Sequence, residues 1–154
     1  MGYTHYWKFK QNPKDINDGE KKFNKAVALL KKCIAKIPTE LDHPYYGKCK
    51  FKLAGGLGTG EPVFDNDKVC FNGVEGNPDL SHETCQILLD NPDDYDFDFC
   101  KTAEKPYDVA VCLALLSFKK EFGRDFSYSS DGDKMKDYGW KLANDIMDSV
   151  IWKI

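Results

Sequence analysis

The sequence predicts an α+β fold: one domain over residues 1–154, built as a mostly antiparallel sheet covered by about three helices. Three observations carry this. Segments of period-two alternation form a block through the chain, helical periodicity lies before and after that block, and glycine- and proline-rich turns separate the strands. No internal repeat, linker or low-complexity run interrupts the pattern.

The opening "YTHYWKF" sets Tyr3, His5, Trp7 and Phe9 against Thr4, Tyr6 and Lys8, which predicts a strand. A helix then opens near Asp18, with Phe23, Ala26, Val27, Leu30, Ile34 and Ile37 on one face and Pro38 as its stop. "KCKFKLAGG" alternates with Cys49, Phe51 and Leu53 inside. "DKVCFNG" and "HETCQILL" are two further strands joined by the turn-rich "VEGNPDLS". In "YDFDFCKT" the aspartates Asp96 and Asp98 alternate with Phe97 and Phe99, so the phenylalanines are expected to face the core. Pro106 suits a first helical turn, and "YDVAVCLALLSFKKEFG" is apolar nearly all round as far as Gly123, as a central buried helix must be. "FSYSS" is a last strand. Ser130 or Asp131 is expected to cap a final helix with Met135, Tyr138, Leu142, Ile146 and Val150 on its inner stripe.

Charge and composition narrow the function. The chain has 22 basic and 25 acidic residues, a formal charge of −3, which argues against general nucleic-acid binding and leaves room for a local basic pocket. The N-terminus lacks the apolar core of a signal peptide and no apolar run reaches a membrane span, so a cytoplasmic chain without membrane contact is the default expectation. Cys33, Cys49, Cys70, Cys85, Cys100 and Cys112 contain no C-x-x-C pair and sit in apolar patterns, which reads as free buried thiols.

Four motifs bear on chemistry. "AGGLGTGEP" lacks the third glycine of a dinucleotide fingerprint, because Glu61 stands there, and it lacks a Walker lysine; it reads as a tight connection or a flexible lip over a ligand. "SHETCQ" offers His82 and Glu83 as acid/base or hydroxyl-anchoring groups, with a surface strand end as the bland alternative. H-E-x-x-H is absent, and neither a metal nor a cofactor is expected. In "FCKTAEKPYD", period two carries Lys101 to the side of Phe97 and Phe99, and Lys105 precedes a helix start. An anion site is therefore expected, for a ligand or for Glu104 and Asp108 of the chain itself. "YSSDGDK" repeats the arrangement with Ser129, Ser130 and Asp131.

The blocks "GYTHYW", "GTGEPVF" with "CFNG", "HET", "FCKTAEKPYD" and "SSDG" resemble those of a family of small uncharacterised proteins from bacteria and from phages or other viruses. The resemblance spans nearly the whole chain and implies a shared set of polar blocks, without implying a reaction. Family versions carry Arg where this chain has Glu104, which makes Glu104 a poor site residue.

The expected function is a pocket at the sheet edge for a small anionic, nucleotide-like ligand. Lys101 and Lys105 would meet phosphate, and Tyr3, His5 and Trp7 would offer rings. Asn72, Thr102, Tyr107, Ser129, Ser130 and Asp131 would complete the polar lining, with Glu83, His82 or Asp108 as acid/base groups for hydrolysis or group transfer. A viral member could sequester such a ligand without turnover. The reading from another class is a protein-interaction module whose polar blocks are folding devices, with "SVIWKI" as exposed apolar surface.

Overall fold

The computed structural model describes residues 2–152, so Lys153 and Ile154 of "SVIWKI" lie outside it. Its eight strands are β1 (Thr4–Phe9), β2 (Glu40–His43), β3 (Gly47–Lys50), β4 (Val63–Phe64), β5 (Lys68–Phe71), β6 (Cys85–Leu88), β7 (Asp98–Lys101) and β8 (Phe126–Ser130). Its α-helices are α1 (Gly19–Ile34), α2 (Asp108–Phe122) and α3 (Tyr138–Ile151). The fold is α+β, but the expected single sheet is three small antiparallel ones: β7-β1-β8, the hairpin β2-β3, and β4-β5-β6. The β3–β4 connection, which divides two of them, carries the glycine-rich "AGGLGTGEP", and backbone without side chains to pack extends no ladder.

Helix α2 is the core. Val109 to Leu115 are all at or below 1 % exposure, and Leu113 is fully enclosed. It packs against α1 on one side, α3 on another and β8 beneath. Phe118 stacks in parallel on Phe122 and meets Phe23 of α1 edge-on, while Phe9 of β1 meets Phe122 edge-on. Each such ring contributes about 1.5–3 kcal/mol by burial. Gly123, at φ 55°, ends the helix in a conformation that suits a residue without Cβ. Helix α1 follows its amphipathic pattern through Cys33; after a last i to i−4 bond from Ala35 N–H to Lys31 O, a tighter turn of i to i−3 bonds carries Ile37 into the core. No helix among the described residues is long and apolar enough to cross a membrane.

The sheet β7-β1-β8 positions the candidate site. β1 runs antiparallel to both neighbours, so its first residues lie beside the last residues of β7 and β8. The pairing continues past the strand ends: Thr102 N–H donates to Tyr3 O at 3.0 Å, and Asp131 N–H donates to Thr4 O at 2.9 Å. Helices α2 and α3 both begin shortly after those strand ends. Topology alone therefore brings "GYTHY", "CKTA", "KPYD" and "SSDG" to one end of the sheet.

Two expectations about facing are corrected. Phe97 and Phe99 are 56 % and 42 % exposed, and Lys101 points outward with them. Cross-strand partners share a face; Cys100 lies opposite His5 and Asp98 opposite Trp7, so the phase of β7 is set by the buried residues of β1. Asp98 tolerates its half-buried place by accepting a hydrogen bond from Phe99 N–H at 2.7 Å, and burial pushes its carboxyl above the ordinary range. Met135 is 81 % exposed and outside α3, whose N-cap position is Asp137, not Ser130 or Asp131.

Candidate functional site

A buried polar chain crosses this end of the sheet. His5 Nε2 lies 2.6 Å from Asp108 Oδ1, and His5 Nδ1 lies 2.9 Å from Ser130 Oγ. Thr102 Oγ donates to the same Asp108 oxygen at 2.5 Å. Ser130 Oγ in turn accepts from Gly132 N–H at 3.0 Å and from the indole N–H of Trp140 at 3.1 Å. His5 and Thr102 are fully buried and Asp108 nearly so. Tyr3 and Trp140 meet the His5 ring edge-on at 5.3 and 5.4 Å.

The hydrogen-bond count fixes the histidine tautomer. A hydroxyl has two acceptor lone pairs and one proton. The Ser130 lone pairs are taken by Gly132 and Trp140, so its proton goes to His5 Nδ1. The ring proton then sits on Nε2 and is donated to Asp108. Two consequences follow. Ser130 Oγ, held by Gly132, Trp140 and His5, orients the His5 ring. His5, Asp108 and Cys112 also place ligand atoms within 4.8 Å of one another, but the nitrogen facing that trio carries the proton, so the cluster is closed by its own hydrogen bonds.

Asp108 connects this chain to the surface. Its Oδ1 is occupied by His5 and Thr102, while Oδ2 lies 3.6 Å from Cys112 Sγ and packs on Gly139. A Cβ at residue 139 would overlap that oxygen, so glycine is what lets α3 approach the carboxylate. Above Asp108 opens a cleft of about 310 Å³ between the starts of α2 and α3. Lys105, Lys136 and Lys141 line it together with His43, Tyr45 and Tyr138, and its acidic members are Asp108, Glu104 and Asp137.

Burial, then the charges of Asp137 and Asp108, raise the Glu104 carboxyl above its ordinary range. Burial lowers the His43 imidazole, whose Nδ1 accepts from Tyr45 N–H at 3.1 Å. Burial, then the Asp108 charge, holds the Tyr3 hydroxyl well above its ordinary range, and that hydroxyl donates to Asp137 Oδ2 at 2.8 Å. Burial likewise pushes the Cys112 thiol up, followed by Asp108.

The sequence-predicted residues divide into three groups. His5, Thr102, Asp108 and Ser130 meet directly, with Tyr3 against the His5 ring. A second group is spent on holding the 72–84 loop. Asn72 bonds Gly56 O and His82 O through its amide and accepts from Gly73 and His82 N–H. Lys105 Nζ, at the cleft wall, donates to Asp79 O at 2.9 Å and Ser81 O at 2.8 Å. Tyr107, 1 % exposed, donates to Glu83 O at 2.6 Å, and Glu83 Oε1 accepts Lys101 N–H at 2.8 Å. The third group lies elsewhere: Trp7 is in the core, while Lys101, Ser129 and His82 are exposed. Asp131, also exposed, accepts Thr4 N–H at 3.1 Å. Lys101 and Lys105 therefore do not form the expected shared anion site, because Lys101 points to the outer face of the sheet and Lys105 is held by carbonyls.

Sequence reasoning passed over Cys112, Trp140, Gly139 and the cleft residues His43, Lys136 and Lys141. Gly139 carried the one readable signal, a glycine in the first turn of a helical pattern where a packing reason is the ordinary explanation. Comparison with protein families, with curated proteins and with solved structures finds no match to this chain.

Proposed function

We propose that the protein binds a small anionic, nucleotide-like molecule in the cleft between the starts of α2 and α3, with Asp108 as the general base of a hydrolysis or group transfer. The observation that carries this reading is the place of Asp108: a buried carboxyl lining a cleft that also holds Lys136 and Lys141, with one oxygen fixed by His5 and Thr102 and the other beside Cys112 Sγ and Gly139. These bonds orient the carboxyl group, as proton abstraction from a water or hydroxyl requires. Lys136 and Lys141 supply the charge for phosphate, and Tyr45 and Tyr138 supply rings for a flat base. The two helix starts add favourable dipoles for an anion.

The test begins with the protein purified from cells, denatured, and the released small molecules identified by mass spectrometry. An anionic, base-containing compound is expected. Offered back to fresh protein, it should be turned over, and Asp108→Asn, which preserves the acceptor for His5 and Thr102, should lower the rate by about 100-fold or more. Recovery of no such compound, or full activity in Asp108→Asn, would sink the reading. Binding with no turnover in either protein would favour ligand sequestration.

A second reading, a protein-interaction module, draws on Trp152, which is 75 % exposed, and on the loop-holding roles of Asn72, Lys105 and Tyr107. It predicts no recovered ligand and unaltered stability when Trp152 is replaced by Ser.

A further inference from the structure

Among the described residues, no helix or strand covers the Tyr6, Lys8, Phe99 and Lys101 side of the β7-β1-β8 sheet, where Lys8, Phe99 and Lys101 are exposed and Tyr6 is half-buried. Its inner face holds His5, Trp7, Phe9, Cys100 and Phe126 against the helices, whereas Phe97 and Phe99 stand in solvent. They do not stand alone. Phe97 lies 5.9 Å from Phe99 and 6.2 Å from Tyr6, ring centre to ring centre, with tilts of 40° and 31°. Tyr6 pairs with Phe99 on one side and Ser129 on the other, so these three share a row; Lys8 and Ser127 form the next row, and Lys101 the previous one. A shallow groove of about 280 Å³ runs past Tyr6, Phe97, Lys8 and the two serines.

A contiguous exposed aromatic patch on an otherwise well-packed domain marks a binding surface. The chemistry around it selects the occupant. Its large apolar side chains are all rings, flanked by two lysines and two hydroxyls, which suits bases and phosphates better than an aliphatic protein core. Spacing selects further. Rows on one face of a strand lie two residues apart, about 6.7 Å, which is twice the rise per base of a stacked strand. Neighbouring rings can therefore each take a base only when the bases are unstacked.

We propose that this face binds single-stranded nucleic acid, with bases on Tyr6, Phe97 and Phe99 and phosphates near Lys8 and Lys101. This is separate from the cleft at Asp108. The chain's overall charge of −3, and the exposed Asp94 and Asp96 before Phe97, act against tight binding; two phosphate contacts imply a modest salt dependence.

Fluorescence anisotropy with a fluorescein-labelled oligothymidylate tests it, with the matching duplex as control. The single strand should bind and the duplex should not. Raising salt fourfold should weaken binding by about sevenfold, the slope for two neutralised phosphates on a single strand. The double variant Phe97→Ala/Phe99→Ala should keep its melting temperature and lose at least about tenfold in affinity. Lys8→Glu/Lys101→Glu, an independent surface variant, should abolish binding. Absence of binding, equal binding of the duplex, or undiminished affinity in both variants overturns the proposal. So does sedimentation showing that the phenylalanine variant instead dissolves a dimer of this chain.

Discussion

Gly139 approaches the Asp108 carboxylate so closely that no side-chain carbon can stand between them. The contact joins the starts of α2 and α3 and leaves Asp108 at the floor of the cleft. Alanine is a better helix former than glycine, so Gly139→Ala should stabilise an isolated helix. In this protein it should instead cost about 1–3 kcal/mol through overpacking and displace Asp108 from His5. Thermal unfolding measures the first effect. Histidine nitrogen chemical shifts measure the second, because the Nε2–H tautomer depends on that carboxylate.

The two lysines of "FCKTAEKPYD" should behave differently. Lys101→Ala removes an exposed side chain whose backbone N–H alone is bonded, so neither melting temperature nor cleft binding should change. Lys105→Ala removes two bonds to the 79–81 segment and should lower stability by about 1–2 kcal/mol, less than full charge-assisted bonds because the ammonium is partly solvated. Denaturant unfolding of both variants checks this. Equal effects would mean the lysine contacts are misassigned.

Thiol accessibility should split the cysteines. All six are free, with Cys33, Cys85, Cys100 and Cys112 buried and Cys49 and Cys70 partly exposed. Burial raises the Cys33 thiol from 9.0 to about 11 and pushes the Cys112 thiol up as well, so their reactive thiolates are scarce near neutral pH. Native protein should label quickly at two positions or fewer, and unfolded protein at all six. Fast native labelling of Cys112 would contradict the packing of α2.

Stability should fall in alkali. Tyr3 and Tyr107 are raised above the ordinary 10.0, each chiefly by burial, and Cys33 is raised above 9.0. Above those ordinary values the unfolded chain releases protons that the folded chain retains, so the derivative of stability with pH is negative. The contribution is complete below about pH 9 and shrinks as pH rises further. Melting temperature measured from neutral to strongly alkaline pH should show this decline. Tyr107→Phe, though less stable at neutrality for loss of its bonds to Glu83 O and Lys101 O, should show a shallower one.

The sequence by itself determined those features whose cause is local. The apolar run from Val109 to Leu115 could only be a buried helix, and Gly123 could only follow its end, because helical periodicity and a left-handed stop are written within a few residues. It also supplied the polar blocks from which the site is drawn, His5, Thr102, Asp108 and Ser130 among them. The phase of β7 was not local. The alternation Asp96, Phe97, Asp98, Phe99 fits either facing, and hydrogen bonding to β1 chose the one that buries Cys100 opposite His5 and leaves two phenylalanines in water. Nor could the sequence assign Lys105 to carbonyls of the 79–81 segment, or bring Gly139 against Asp108 across 31 residues of chain. The first pairing exists only after the 79–81 segment docks beside Lys105 and the second only after α3 packs on α2, since a polar group enclosed by packing must take whichever partner the topology places beside it.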